Sequence, residues 1–208
     1  MPHRKRSAKK RGEPLHITVR LADGLPSLRR GGARKVVLAA LSASSDRHEK
    51  RIIHYTVQGH HLHLLVEADD RECVACAMNA LLSPLARALN MLWGRRGKVF
   101  PERDHDEVIS TPTQARNALR YVRQNGKKHG AVSPSSIDLC SSASVFEGWM
   151  ELPSIALVPT APVVAAVAPA STWLLTIGWR RLGLLDIREL PIAKHAGRPG
   201  ANVAELRR

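Results

Sequence analysis

The strongest constraint on the fold is a pair of neighbouring strand patterns separated by a turn of three residues. Residues 52–57 are rich in β-branched side chains, and residues 61–67 alternate with a period of two. The short turn 58–60 between them predicts an antiparallel hairpin. The same period of two places His61 and His63 on one face of the second strand, opposite its apolar face.

The other elements complete an α+β pattern. Residues 15–21 alternate as a strand, and helical spacing follows at 36–41 and, over a longer stretch, at 71–93. A short strand is expected at 105–110, before a helix that Thr111 opens with a capping box. The order predicts a ferredoxin-like (RRM-like) antiparallel sheet with helices packed on one face.

The charge of the chain indicates its class of partner. Lys and Arg number 32 against 18 Asp and Glu, so the net charge is +14. A chain this basic is expected to meet a polyanion, most commonly nucleic acid. Three cysteines without a regular spacing exclude a disulfide scaffold.

Composition divides the chain into four segments. We expect a disordered basic arm at 1–13, a folded domain at 14–130, a Ser/Ala/Pro-rich linker at 131–171 and a basic C-terminal tail with a short helix at 172–208. The uncharged stretch 152–179 contains four prolines, which remove helix donors, so no membrane segment is expected.

Two pairs of residues carry the candidate chemistry. Two imidazoles on one strand face, about 7 Å apart, can converge on one divalent metal, although an isolated pair is more often two solvated polar groups. Tyr121 lies in the well-capped helix, and Asn125 follows one turn later. We therefore predict a phosphoryl-transfer site in which His61, His63 and Asn125 hold a metal and Tyr121 is the nucleophile. The second tyrosine, Tyr55, is predicted to be a packing residue in its strand.

The run 57–68 (VQGHHLHLLVEA) resembles the HUH motif of single-tyrosine insertion-sequence transposases, in which U is a bulky hydrophobic residue, here Leu62. The nearest likeness is to REP-associated tyrosine transposases, bacterial proteins that include domesticated members. It covers residues 14–130 well and the tail more loosely. One departure is His60, where the family is expected to have Asn; His60 is not counted as a ligand. Further similar segments are His16–Thr18, Leu25–Arg29, Val99-Phe100 before Arg103, Asn117–Val122, Thr172–Leu175 and Gly178–Leu184.

The resemblance implies an HUH endonuclease fold and a DNA transposase or a domesticated relative. His61 and His63 would bind Mg²⁺ or Mn²⁺, with Asn125 as a further ligand. Tyr121 would attack single-stranded DNA and form a 5′-phosphotyrosine during cleavage and strand transfer. The implied partner is single-stranded DNA with hairpins from repetitive palindromes, bound by a cytoplasmic, nucleoid-associated protein. A monomer is favoured as its active form, and a dimer is the alternative.

Basic residues near the fourth strand and the Tyr121 helix are expected to follow the DNA backbone. Glu67 and His105 are expected to have supporting or structural roles only. The predicted DNA-binding residues are Arg95, Arg96, Lys98, Arg116, Arg120, Arg123, Lys127 and Lys128.

Two other functions compete with the enzyme. A catalytically inactive, sequence-specific DNA-binding protein on the same fold would need neither Tyr121 nor the histidines. An RRM-like RNA binder would need aromatic residues on the exposed strands, whereas the first strand presents His16, Thr18 and Arg20 there. The presence of both histidines, Tyr121 and the following asparagine together favours the enzyme.

Overall fold

The computed structural model describes residues 10, 12–47, 50–101, 105–128, 130–151 and 159–191. Within these ranges, five strands form one antiparallel sheet in the order β2-β3-β4-β1-β5. The strands are β1 (Leu15–Arg20), β2 (Asp46–Arg47), β3 (Lys50–Val57), β4 (His61–Ala68) and β5 (His105–Val108). The predicted α+β class is confirmed, and β2 is a short edge strand that the sequence patterns did not indicate.

The predicted hairpin is formed by β3 and β4, with one irregularity. The register shifts between Ile52 and His54, so that Ile53 is the extra residue of a bulge. As a result, Ile52 and Tyr55 pack in one core while Ile53 packs in the core on the opposite face. Tyr55 is fully buried, in agreement with the predicted packing role.

Two helices cover the apolar face of the sheet. Helix α1 spans Ala33–Ser44, and α2 spans Arg71–Leu92 and continues through Pro84. The side chain of Asp70 caps α2 by accepting a hydrogen bond from the backbone N–H of Cys73 at 2.8 Å. The alternating apolar residues of β1 and β4 are buried against these helices, which explains the strict period of two in both strands.

Helix α3 (Pro112–Lys128) lies on the opposite face of the sheet. Its predicted capping box is present: Thr111 Oγ1 accepts from the N–H of Gln114 at 3.2 Å, and Gln114 Oε1 accepts from the N–H of Thr111 at 3.1 Å. Leu119 packs with Leu65 of β4 in a second core. The helices are therefore divided between two faces rather than gathered on one, because Leu65 and the bulged Ile53 give the second face an apolar region.

The described parts of the segment predicted as a linker, 131–171, pack against the domain instead. A 3₁₀ turn spans Ser142–Val145, and helix α4 spans Ala161–Ala165. Val163 and Ala166 belong to the first core, and the N–H of Ala168 donates to the carbonyl of Ile52 at 2.7 Å. The small side chains that suggested a flexible connection are the ones that allow this close packing.

The predicted short helix of the tail is present and docks on α3. Helix α5 spans Trp173–Thr176 and is followed by a 3₁₀ turn at Gly178–Leu182. Trp179 is buried in the second core, with its ring centroid 5.4 Å from that of Phe146. Nearly all of the expected basic arm 1–13, and the tail from 192 to 208, lie outside the described residues. In the described part of the chain, no helix is long and apolar enough to cross a membrane.

Candidate active site beneath helix α3

Strand β4 presents His61 and His63 on the face that α3 covers. Their ring centroids are 6.0 Å apart and the rings are nearly parallel, at 15°. His63 is buried, whereas His61 is partly exposed at the start of the strand. His63 Nδ1 lies 3.1 Å from Oγ1 of Thr18, which is directly opposite on β1. In the tautomer with a proton on Nδ1, this N–H donates a hydrogen bond to the Thr18 hydroxyl. The lone pair of Nε2 then stays available for a ligand.

Helix α3 brings Tyr121 onto this histidine pair. Its ring centroid is 5.2 Å from that of His63, and the two rings meet edge to face at 86°. Burial raises the pKa of the Tyr121 hydroxyl above its ordinary value of 10.0, and the neighbouring Asn125 amide partly opposes this change. At neutral pH the hydroxyl is therefore protonated, and its proton must leave during any attack on a phosphate.

Asn125 lies one helical turn beyond Tyr121 and is 1% exposed. Its amide lies near the Tyr121 hydroxyl, but among the described residues neither Nδ2 nor Oδ1 meets the geometry of a full hydrogen bond with any partner. Because a buried amide without a partner is costly, these atoms suit a site that receives a ligand. No group of three His, Cys, Asp or Glu side chains able to hold a metal occurs in the described ranges.

His16 belongs to the same cluster, although the sequence analysis did not assign it to the site. Its ring centroid is 5.5 Å from that of His63 and 5.4 Å from that of Tyr121. The signal that could have found it is the alternation of β1. Because β1 pairs with β4, the side chains of His16 and Thr18 share the face that carries the histidine pair.

Glu67 is on the same face of β4 and has a structural role. Its carboxylate accepts hydrogen bonds from the backbone N–H and the hydroxyl of both Ser171 and Thr172, at 2.6–3.2 Å. It also forms an ion pair with Arg51 at 2.8 Å. These contacts fasten the start of α5 to the sheet. His105, expected to have a similar supporting role, is exposed at the start of β5.

Three of the predicted DNA-binding residues on α3 are engaged within the protein. Arg116 forms a bidentate ion pair with Glu189 at 2.8 and 3.0 Å, and Arg120 pairs with the same carboxylate. The amine of Lys127 donates to the backbone carbonyls of Pro134, at 2.8 Å, and Ile187. We call residues 183–189, which receive most of these bonds, the C-terminal strap.

Arg123, a fourth predicted DNA-binding residue, is also engaged within the protein. It is 1% exposed, with its guanidinium carbon 3.3 Å from the Phe146 ring centroid, and it donates to the carbonyl of Leu119 at 2.8 Å. Basic residues spaced along a helix are typical of a solvated face, whereas Arg123 is buried here. Phe146, which covers Arg123, lies 23 positions further along the chain, so the local pattern does not reveal it.

The four other predicted DNA-binding residues remain near the surface. Lys128 is exposed, with its amine 5.8 Å from the Tyr121 ring centroid. Arg96 and Lys98 are exposed on the loop after α2, and Arg95 is partly buried and donates to Asn90 Oδ1 at 2.9 Å.

The loop that carries these three cations lies near the His61 end of the sheet. The N–H of Ala22 donates to the carbonyl of Val99, and the preceding N–H, of Leu21, donates to that of His60, both at 2.9 Å. The loop therefore borders the end of β1 that faces the start of β4. Arg103, the arginine of the similar segment at 99–103, lies outside the described residues.

Comparison with known proteins was made by sequence and by structure. No family model matches the sequence, and no curated protein shows a significant match. A solved structure, described as a REP-associated tyrosine transposase bound to a REP hairpin, matches with a TM-score of 0.53 and 18% identity. The match covers 64% of this chain and 76% of that chain. The structural likeness agrees with the resemblance seen in the HUH-like run, and the chain has the fold of a REP-associated tyrosine transposase.

Proposed function

We propose that the protein is a metal-dependent DNA transposase, or a domesticated relative, that cleaves and rejoins single-stranded DNA through Tyr121. The observation that carries the proposal is the contact of the Tyr121 ring with His63, at 5.2 Å between centroids. A tyrosine nucleophile, two histidines and a buried amide on one sheet face form the set of groups that phosphoryl transfer needs.

The residues present fit a divalent cation, Mg²⁺ or Mn²⁺. His61 and His63 would hold it through imidazole nitrogens, and Asn125 would add its amide oxygen, which otherwise has no partner in the described part of the chain. Thr18 orients His63 for this role. Bound there, the cation would polarise the scissile phosphate and stabilise the charge that develops on it.

The protein's own step is the attack by Tyr121. Its hydroxyl loses a proton as the oxygen forms a bond to phosphorus, and the bond between phosphorus and the 3′ oxygen of the preceding nucleotide breaks. That oxygen takes up a proton and leaves as a free 3′-hydroxyl, while the 5′-phosphate stays on Tyr121. Since a phosphodiester is replaced by another phosphodiester, a 3′-hydroxyl can attack in turn and rejoin strands without ATP.

The substrate class follows from the surface charges and from the structural neighbour. Arg96 and Lys98, with Lys128 beside Tyr121, are exposed cations that can contact phosphates near the site. The neighbour is described as bound to a REP hairpin, which supports DNA hairpins from repetitive palindromes as the substrate. Tyr121 reaches His63 within one chain, which supports a monomer as the active form. A cytoplasmic, nucleoid-associated location accords with this substrate.

The direct test replaces the nucleophile. Tyr121→Phe removes one oxygen and keeps the ring, so DNA binding should survive while cleavage and the covalent adduct disappear together. Denaturing gels with 3′-labelled hairpin DNA would show the adduct, because the downstream strand carries the 5′-phosphate. Tyr55→Phe is the matched control: it removes a buried hydroxyl in the other core and should leave cleavage intact. An adduct mapped to Tyr55, or full activity of Tyr121→Phe, would contradict the mechanism.

Metal dependence has its own test. EDTA should abolish cleavage, and added Mn²⁺ should restore it in the wild type but not in a His61→Ala/His63→Ala double variant. Undiminished cleavage by the double variant would remove the histidines from the site. If the wild type binds hairpins but forms no adduct on any of them, the protein is the catalytically inactive DNA-binding alternative.

A further inference from the structure

His16 fills the space beside both the nucleophile and a proposed metal ligand. Its ring centroid lies 5.4 Å from that of Tyr121, at an interplanar angle of 61°, and 5.5 Å from that of His63. We propose that His16 is a positioning residue whose ring holds the Tyr121 ring in its orientation toward His63. This inference rests on the proposed function and assigns a role to a residue outside the predicted nucleophile and metal ligands.

The packing around Tyr121 shows how the His16 ring can restrain the Tyr121 side chain. Tyr121 meets His63 edge to face on one side and His16 at a tilted edge on another. Ring contacts on two sides limit the swing of the phenol about the Cα–Cβ bond, which keeps its oxygen in one direction. Because reaction rates depend steeply on such alignment, loss of either contact should slow attack even where the nucleophile itself is intact.

The sheet register shows how His16 is itself held. His16 stands opposite Leu65 on β4 and opposite Glu107 on β5, so it occupies an interior position between two strands. A residue directly across an antiparallel pair lies on the same face, so Leu65 and Glu107 share the sheet face that carries His16. His16 is 5% exposed, too little to offer a surface to DNA. Its effect should therefore be on the rate of cleavage and not on DNA affinity.

The kinetic experiment compares His16→Ala with His16→Phe in the full chain at saturating Mn²⁺. His16→Ala opens a gap beside Tyr121 and should lower kcat about 10-fold or more, with the Kd for hairpin DNA within twofold of the wild type. His16→Phe keeps a planar ring and should retain at least half of the wild-type kcat. A kcat for His16→Ala within twofold of the wild type would overturn the proposal, as would an equal loss in both variants.

A second readout does not need cleavage. The chain has only two tyrosines, so incorporation of 3-fluorotyrosine gives two ¹⁹F NMR signals, assigned with Tyr55→Phe and Tyr121→Phe. In metal-free and DNA-free protein, His16→Ala should shift or broaden the Tyr121 signal and leave that of Tyr55 unchanged. His16→Phe should give nearly the wild-type spectrum.

The two readouts separate failure of this inference from failure of the proposed function. If the wild type forms no adduct but the Tyr121 signal responds as described, the proposed function fails and the positioning contact stands. An unchanged Tyr121 signal in His16→Ala would overturn the inference whatever the activity. If both signals change because His16→Ala unfolds, His16→Leu is tested instead, since leucine fills the space without a planar ring. A wild-type kcat in His16→Leu would overturn the proposed role of the ring.

Discussion

At the scale of single residues, the orientation of His63 depends on one hydroxyl. Thr18 faces it across the β1–β4 pair and binds its Nδ1 at 3.1 Å. Hydrogen bonds to the second nitrogen of a metal-binding histidine fix the ring and the tautomer, and their loss commonly weakens metal binding 10-fold or more. In the proposed function, a threonine outside the reacting groups would thus set how tightly the site binds a cation.

We predict that Thr18→Val weakens Mn²⁺ binding about 10-fold, measured by calorimetric titration of metal-free protein. Thr56→Val is the matched control, because Thr56 faces His63 from the other neighbouring strand while its hydroxyl accepts from the Gln58 amide instead. Equal losses in the two variants would show that the Thr18 hydroxyl has no special part in orienting His63.

The closeness of His61, His63, Tyr121 and Asn125 could be predicted from the sequence because each of these positions depends on a local pattern, while their roles as ligands and nucleophile stay predictions. The period of two in β4 pairs His61 with His63, and the helical repeat of α3 places Asn125 one turn after Tyr121. The position of His16 depends on which strand β1 pairs with, and the burial of Arg123 depends on Phe146, far along the chain. The alternation of β1 indicates the strand face of His16 but not the strand with which β1 pairs, and no local pattern of α3 indicates the contact of Arg123 with Phe146.

At the scale of elements, most of the basic residues of α3 attach the helix to other parts of the protein. Arg116, Arg120 and Lys127 bind the C-terminal strap or its neighbours, and their partners are mainly backbone carbonyls and the Glu189 carboxylate. Of the predicted DNA-binding residues, Arg96 and Lys98 on the loop after α2 and Lys128 at the end of α3 are exposed. In the proposed function, phosphate contacts would therefore come mainly from the loop, which is separate from the helix that carries Tyr121.

We predict that an Arg96→Ala/Lys98→Ala variant binds hairpin DNA more weakly. The slope of log affinity against log salt should become shallower by about two, because each lost phosphate contact removes nearly one unit. Fluorescence anisotropy at several salt concentrations measures this slope. An unchanged slope would show that these two cations do not contact phosphates.

Substitution of a residue that contacts the C-terminal strap should lower stability and leave the salt dependence of DNA binding unchanged. Arg116→Ala leaves the partly buried Glu189 with one fewer partner and should lower the free energy of unfolding by about 2 kcal/mol, with no change in the salt slope. Urea unfolding and the same anisotropy series provide the two measurements. A shallower salt slope in Arg116→Ala would show that Arg116 contacts DNA phosphates.

At the scale of the whole molecule, one buried charge opposes folding. Lys50 is 1% exposed, its amine has no hydrogen-bond partner among the described residues, and burial lowers its pKa to about 8. Below pH 8 the amine is protonated in both the folded and unfolded states, so the cost of burying it is constant. Between pH 8 and 10.5 the unfolded state binds more protons, and the free energy of unfolding must rise with pH.

We predict that Lys50→Met stabilises the protein at pH 7 by about 1–3 kcal/mol, since an apolar chain of similar length replaces a buried charge. The difference between variant and wild type should shrink as the pH rises from 8 to 10. Urea unfolding of both proteins at these pH values measures it. A difference that stayed constant across this range would mean that Lys50 does not titrate as described.

The C-terminal strap also sets the time at which the site is completed during synthesis. Strand β4 and helix α3 leave the ribosome well before residues 183–189, which hold α3 through Arg116 and Lys127. Contacts between such distant parts of a chain form late in folding. The nascent protein thus carries Tyr121 without its full support until the strap has been made, so the proposed DNA cleavage would arise only after residues 183–189 have been added.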